Sequence, residues 1–425
     1  MRHGLPPHSP LRTLKIPACG DTVTTFAIPS LQIDPADLPP AIRTSDVDSF
    51  AHYTFTERVP NIVRETVALN AFPEASQRAL EALHAEVTHG RVSELHEDAP
   101  DRAFWNAVSA AHIGRSWLDV PWYWGEAFFY RRLLEATEYF QPGPGRHVDP
   151  FGPKKATELA PDAAPQAVNA LLSRLPDEPR GRFDMLLHGS LWGNRSDLSY
   201  EVSRRLGRPT GAPEERANLL VDDSNRLWDL LRTKECSRFA LLADNAGTEL
   251  LMDLALVDYL LCQDLVEEVQ LHVKPCPFFV SDAMVEDVWE GLAALEAAGG
   301  PARELSERLR AQLSRNDLRL VSHWHYGTSL FFFQLPEDLL TMMTGADLVV
   351  VKGDANYRRL LGDAHWPPTT PFEQATRYFP TRLVALRTLK AEIVVGLKPG
   401  EVERLCTEDP SWLVNGKRGV VQARL

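Results

Sequence analysis

The run Phe239-Ala-Leu-Leu-Ala-Asp-Asn-Ala-Gly-Thr-Glu-Leu-Leu-Met-Asp-Leu254 holds the residues best suited to chemistry in this chain. It predicts a short buried strand that carries Asp244 and Asn245 into a tight glycine turn, directly ahead of an amphipathic helix. An acid and an amide at the carboxyl end of a buried strand stand where open α/β sheets bind ligands. Both present hard oxygen atoms, which suit Mg2+ or Mn2+ better than a soft metal.

Three further segments repeat the arrangement. An apolar run over 269–273 leads through Lys274-Pro-Cys-Pro-Phe-Phe-Val-Ser to Asp282, at the expected start of a helix. Another over 346–351 runs into Lys352-Gly-Asp354 and then Ala355-Asn-Tyr-Arg-Arg359, and a third over 383–386 ends at Arg387-Thr-Leu-Lys390. If the strands are parallel, their carboxyl ends share one edge of a sheet. That edge offers carboxylates and an amide for a divalent cation. It also offers a glycine loop opening a helix, whose backbone N–H groups can hold an anion. Lys390 is a mobile cation able to reach a phosphate oxygen. These are the parts that metal-assisted phosphoryl chemistry requires. Neither Gly-x-x-x-x-Gly-Lys-Ser/Thr nor Gly-x-Gly-x-x-Gly follows the first strand, which disfavours a P-loop NTPase or an NAD enzyme.

Taken singly, each residue has an ordinary explanation. Asp244 and Asp282 suit helix N-caps, Asn245 and Gly247 suit turns, and Asp354 suits a loop. Four strand ends with complementary chemistry favour a site over four coincidences. His323 and His325 share a strand face, yet no third soft ligand is evident, so they are read as hydrogen-bonded core or pocket-lining histidines. Asn194 and Asp197 are equally suited to lining a sugar pocket and to an Asx-type turn.

The elements that must position these groups follow from hydrophobic periodicity. Residues 1–45 form a proline-rich arm without helical period. Residues 46–235 read as mainly helical, with helices near 59–69, over 72–87 after a break at Pro73, over 165–174 and over 211–233. The aromatic stretch 104–140 is read as core or domain interface rather than a ligand platform. Residues 236–425 alternate apolar strands, including 239–243 and 318–322, with helices over 249–262, 283–298 and 302–314. Such alternation predicts a mostly parallel sheet covered on both faces, a three-layer α/β/α sandwich following the helical region.

The chain has 425 residues, 44% hydrophobic and 24% charged, with ample core for two domains. A formal charge of −13 argues against a nucleic-acid partner. Five cysteines without metal-ligand spacing read as reduced thiols. No apolar run is long enough to cross a bilayer, and Pro6, Pro7, Pro10 and Pro17 interrupt any signal-peptide core, so a cytoplasmic protein without a membrane partner is expected. Oligomeric state is not legible.

Asp244-Asn-Ala-Gly-Thr-Glu-Leu250, Phe279-Val-Ser-Asp282, Lys352-Gly-Asp-Ala-Asn-Tyr-Arg-Arg-Leu360 and Arg387-Thr-Leu-Lys390 together resemble the damage-control phosphatase family, in its Arg-Thr-x-Lys subfamily. Phe55-Thr-Glu-Arg-Val-Pro60, residues 121–133 and Leu191-Trp-Gly-Asn-Arg-Ser-Asp-Leu198 extend the resemblance upstream. It implies a divalent metal, Mn2+ or Mg2+ with Co2+ or Ni2+ as alternatives, at the sheet edge. By position, Asp244, Asn245 and Asp282 take the metal-ligand places. Gly353, Asp354, Ala355, Asn356, Tyr357 and Lys390 take the substrate places, with Arg387 and Thr388 completing the motif. Asp244, Asp282 and Lys390 would carry catalysis, with water or the Asp244 carboxylate as attacking group. Ala355 stands where the family often has leucine. The implied activity is hydrolysis of small sugar phosphates, hexose or pentose phosphates such as fructose 1-phosphate or fructose 6-phosphate. The alternative is an S-adenosylmethionine-dependent protein-glutamate O-methyltransferase, with Glu249 facing the cofactor. The lack of a glycine-rich loop after the first strand weakens that alternative.

Overall fold

The apolar runs pair with one another, as strands that have no polar face must. The computed structural model describes residues 29, 31–96, 98–160, 162–193 and 217–425. Among the described residues the strands are β1 (Leu219–Asp222), β2 (Arg238–Leu242), β3 (Glu268–Val273), β4 (Leu318–Ser322), β5 (Leu348–Lys352), β6 (Leu383–Thr388) and β7 (Gly419–Arg424). They form one sheet in the order β1-β7-β6-β5-β2-β3-β4. The five strands β2 to β6 are mutually parallel; β7 runs antiparallel to β6, and β1 parallel to β7.

Alternate residues of each strand enter different cores, which makes the architecture a three-layer sandwich. Ala240, Leu242, Val349, Val351, Leu383 and Ala385 join one hydrophobic cluster. Phe239, Leu241, Leu348, Val350, Val384 and Leu386 join the other. The first face is covered by helices from the region before residue 140, with Phe55, Trp105, Trp117 and Phe128 fully buried, so the aromatic stretch is core as expected. The second face is covered by helices Ala164–Leu172, Pro179–Trp192, Thr248–Cys262, Val285–Ala298 and Gly300–Arg315. The helical N-terminal region thus contributes to both outer layers.

Several local readings change. The helix expected over 211–233 is, in its described part, strand β1 followed by helix Ser224–Arg232. The sheet therefore begins upstream of the boundary drawn near residue 235. Strands β1 and β7 carried little signal because β1 is only four residues long and Gln422 and Arg424 interrupt the apolar run of β7. Asp282 does not begin a helix: Val285–Ala298 starts three residues later, capped by Met284 with Asp287. Nor does Asp244 cap one, since Gly247 precedes helix Thr248–Cys262. His323 lies 3.2 Å from Asp338, and His325 2.9 Å from the Arg359 guanidinium; both rings are buried, as core histidines. Cys236, Cys262, Cys276 and Cys406 are free thiols. Residues 1–28 of the proline-rich arm, with Cys19, and the pair Asn194 and Asp197 lie outside the described residues. Among the described residues no helix is long and apolar enough to cross a membrane.

One buried charge ties the helical region to the sheet. Arg358 donates to Glu126 at 2.6 Å and to Asp363 at 2.7 Å, with its guanidinium 3.7 Å from the Trp122 ring centroid. Asp363 in turn accepts the backbone N–H of Tyr123 at 2.8 Å. Removing one partner of such a group leaves the others buried without compensation. Arg358→Ala should therefore cost about 3–5 kcal/mol, read as a fall in the urea midpoint. A midpoint matching wild type would show that the tie carries no stability.

Candidate active site

Chain order around the sheet determines where a ligand can sit. From β2 the chain proceeds to β3 and β4 on one side, then returns to β5 and β6 on the other. The carboxyl ends of the neighbouring strands β2 and β5 therefore flank a topological switch point, where parallel sheets leave a crevice. Asp244 follows β2 and Gly353 follows β5. Gly353 has φ +81° and opens helix Asp354–Leu361; a Cβ built on it would overlap the Asp244 carboxylate. Only glycine satisfies both the backbone angle and that approach.

Backbone pairing brings the second acid alongside. Asn245 and Asp282 form an antiparallel bridge, with Ala283 N–H donating to Asp244 O at 2.8 Å and Ala246 N–H to Ser281 O at 2.7 Å. The Asn245 amide donates to Asp244 Oδ2 at 2.8 Å and Glu249 Oε2 at 2.9 Å, and its oxygen accepts from the Ser281 hydroxyl. In the same loop Phe279 and Val280 both have positive φ, 45° and 67°. Such backbone strain in non-glycine residues collects at functional loops. Lys274, at the end of β3, lies 3.1 Å from Asp282 Oδ2 and 3.5 Å from Asn356 Oδ1.

Burial governs the electrostatics. Asp244 is 4% and Asp282 1% exposed. Burial, then the like charges of Glu249 and Asp282, hold the Asp244 carboxyl well above the usual carboxylate range. Burial also raises Asp282, against the pull of Lys274. A doubly charged cation would reverse that penalty, and the oxygens of Asp244, Asn245 and Asp282 fit a hard one. Among the described residues no three His, Cys, Asp or Glu side chains are grouped to hold an ion. A cation here would draw on the Asn245 amide and on ligands from outside the protein.

The remaining expected residues separate into two groups. Lys390 reaches a cavity of about 870 Å³ that Asn245, Glu249 and Glu158 also line. Burial lowers the Lys390 ammonium, and Glu249, Asp244 and Asp354 pull it back up. The residues after Gly353 instead build the frame. Asp354 accepts from Arg387 Nε at 2.8 Å and from the Lys390 backbone N–H at 3.0 Å. Arg387 is fully buried, donates also to the carbonyls of Ala391 and Ile393, and stacks 4.3 Å from the Tyr357 centroid. Asn356 donates to the carbonyls of Ala243 and Lys352, at 3.1 and 2.9 Å, joining the ends of β2 and β5. The Tyr357 hydroxyl donates to Gln422 at 2.8 Å, Ala355 is 9% exposed, and Thr388 is buried in β6. None of Gly353, Asp354, Ala355, Asn356, Tyr357 or Arg387 lines the cavity, nor do Asp244 and Asp282, although Asn245 beside Asp244 and Ser281 beside Asp282 do.

Sequence reasoning missed several groups. Lys274 and Lys352 each stand at or just past the end of a buried strand, a signal that was available. Lys352 is wholly buried and bonds Asp253 at 2.7 Å and Glu249 at 3.1 Å. Glu249, which the methyl-transfer alternative would turn to a cofactor, is thereby engaged by Lys352 and Asn245. Glu158 comes from the N-terminal region and accepts the Thr248 backbone N–H at 3.3 Å, at the positive end of helix Thr248–Cys262. Nothing in its sequence surroundings marks it, because the contact exists only once the layers pack.

A family model described as the damage-control phosphatase ARMT1-like domain matches residues 54–405. Damage-control phosphatase ARMT1 of Danio rerio is 32% identical, over 91% of this chain and 97% of its own length. The Homo sapiens protein of the same name is 30% identical, over 91% of this chain and 99% of its own length. A crystal structure of a DUF89 family protein from Pyrococcus horikoshii aligns with a TM-score of 0.47 at 15% identity, covering 87% of this chain and 97% of that one.

The Gly353 contact supplies a test of the site's construction. Gly353→Ala should displace the Asp244 carboxylate and weaken calorimetric Mn2+ affinity by roughly 10–100-fold, the usual cost of disturbing a ligand's support. Gly345→Ala, with no atom within 4 Å of the added methyl, is the control and should change nothing. Equal affinities in the two variants would separate Gly353 from the ion site.

Proposed function

The chain belongs to the ARMT1-like damage-control phosphatase family, and on that premise we propose that it is a divalent-metal-dependent hydrolase of small sugar phosphates. Hexose or pentose phosphates such as fructose 1-phosphate and fructose 6-phosphate are the substrates this reading favours, with metabolite damage control in the cytoplasm as its setting. One observation carries it. The ends of β2, β5 and β6 and the loop after β3 gather Asp244, Asn245, Asp282 and Lys390 at the switch point, beside a cavity large enough for a phosphorylated sugar.

Mg2+ or Mn2+ held by Asp244, Asn245 and Asp282 would supply Lewis-acid polarisation of the phosphoryl group. The protein's own residues supply the rest. Lys390 offsets charge on the phosphoryl oxygens as the ester bond breaks, in a site where burial strengthens each interaction. Asp354 holds the Lys390 backbone through its N–H, so the ammonium is presented by a fixed chain rather than a free loop. Because Asp244 is buried against Gly353 and does not line the cavity, this reading takes water as the attacking group. Water then contributes its oxygen to the released phosphate, and the sugar oxygen leaves with a proton.

Protein stripped with EDTA should release no phosphate from a panel of sugar phosphates, and Mn2+, Mg2+, Co2+ or Ni2+ should restore release. Asp244→Ala should abolish turnover, and Lys390→Ala should lower it by about 100- to 1,000-fold, the cost of one charge-stabilising donor. Phosphate release at wild-type rate by Asp244→Ala, or release indifferent to chelation, would sink the proposal.

A further inference from the structure

Phe55-Thr-Glu-Arg-Val-Pro60 takes no part in the chemistry assigned so far, yet it adopts an uncommon backbone. Thr54–Arg58 is a single π-helical turn, in which Val59 N–H returns to Thr54 O, leading into helix Val59–Leu69. Pro60 explains the widening, because it lacks an N–H and its ring would crowd the carbonyl four residues back. Isolated π turns are frequent at functional sites. Here the turn buries Thr54 and Phe55 and sets Arg58 on the cavity wall.

Two other cations on that wall are committed. Lys154 pairs with Glu65 at 3.0 Å, and Lys155 with Asp149 at 2.9 Å and Asp287 at 2.8 Å. Among the described residues no carboxylate pairs with Arg58; its guanidinium instead lies 5.2 Å from the Phe50 ring centroid. Ring stacking steadies a guanidinium while leaving its N–H donors available. Arg58 also acts electrostatically on Lys390 and Tyr130, two other side chains of the same cavity, and Tyr130 in turn feels Asp282. Two cations facing one cavity are unfavourable when it is empty and favourable when an anion lies between them.

We propose that Arg58 is a phosphate-binding residue, taking the substrate's phosphoryl oxygens from the helical side of the cavity while Lys390 takes them from the sheet side. The planar fork of Arg58 suits two phosphoryl oxygens at once, as the point charge of Lys390 does not. The inference rests on the phosphatase reading and gives the N-terminal helical region a direct part in the site.

The test is calorimetric titration with inorganic phosphate, with Mn2+ present and after EDTA stripping, together with kinetics on fructose 6-phosphate. Arg58→Ala should weaken phosphate binding at least tenfold and lower kcat/KM by about 100-fold, with Mn2+ affinity and Tm unchanged. Arg58→Lys should fall between, and decides the matter if the alanine variant unfolds. Arg78→Ala, on the exposed face of helix Glu74–His89, should match wild type. Phosphate bound equally by wild type and Arg58→Ala, or not bound by wild type, overturns the proposal. Wild type that binds phosphate through Arg58 but hydrolyses no sugar phosphate would instead overturn the phosphatase reading and leave this one standing.

Discussion

The approach of the Asp244 carboxylate to the Cα of Gly353 is the contact around which the site is built. It joins the ends of two adjacent parallel strands by excluding every side chain larger than hydrogen from one of them. Asn356 fixes the same pair of strand ends by bonding the carbonyls of Ala243 and Lys352. With those ends held, Asn245 falls into register with Asp282, which brings the segments carrying the two acids side by side. A shift of either strand end would separate them.

Such an arrangement is costly, since Asp244, Glu249, Asp253 and Asp282 are buried along this edge together with Lys274 and Lys352. Each is acceptable only because another group answers it: Lys274 for Asp282, Lys352 for Glu249 and Asp253, Arg387 for Asp354. The network runs through shared members. Lys352 holds Glu249, Glu249 accepts from Asn245, and Asn245 donates to Asp244. Low dielectric makes these bonds strong when complete and penalising when broken, so the strand-end geometry is held stiffly. Stiffness of this kind is what charge-stabilising catalysis needs, because donors that are already aimed spend nothing on reorganisation.

The helical N-terminal region is more than a cover for one sheet face. It sends Glu158 to the start of helix Thr248–Cys262, Lys155 to the Asp282 carbonyl at 2.9 Å, and Arg58 to the cavity wall. Tyr130 and the strained pair Phe279 and Val280 close the same space, with Tyr130 and Phe279 rings 5.1 Å apart. A pocket assembled from two regions of the chain gives each a share in choosing the ligand.

Much of this was legible in the sequence. The middle strands β2, β5 and β6 are mostly apolar, and the alternation of β2 to β6 with helical patterns implied a parallel sheet. Asp244, Asn245, Gly353 and Lys390 follow such strands directly, so local order along the chain determined which side chains could share an edge. Strands β1 and β7 escaped because β1 spans four residues and β7 carries Gln422 and Arg424 among its apolar residues. Partnership was beyond the sequence altogether. Arg387 and Asp354 read as ligand-facing charges, but which of two nearby charges meets solvent and which meets the other depends on packing. Glu158 reaches Thr248 across 90 residues of chain and Lys155 reaches Asp282 across 127, and Arg58 lies further away still, so only the stacking of the layers decided that they belong to the site. Residue order determined the chemistry available at the sheet's edge, and tertiary structure decided which of it is spent on holding that edge together.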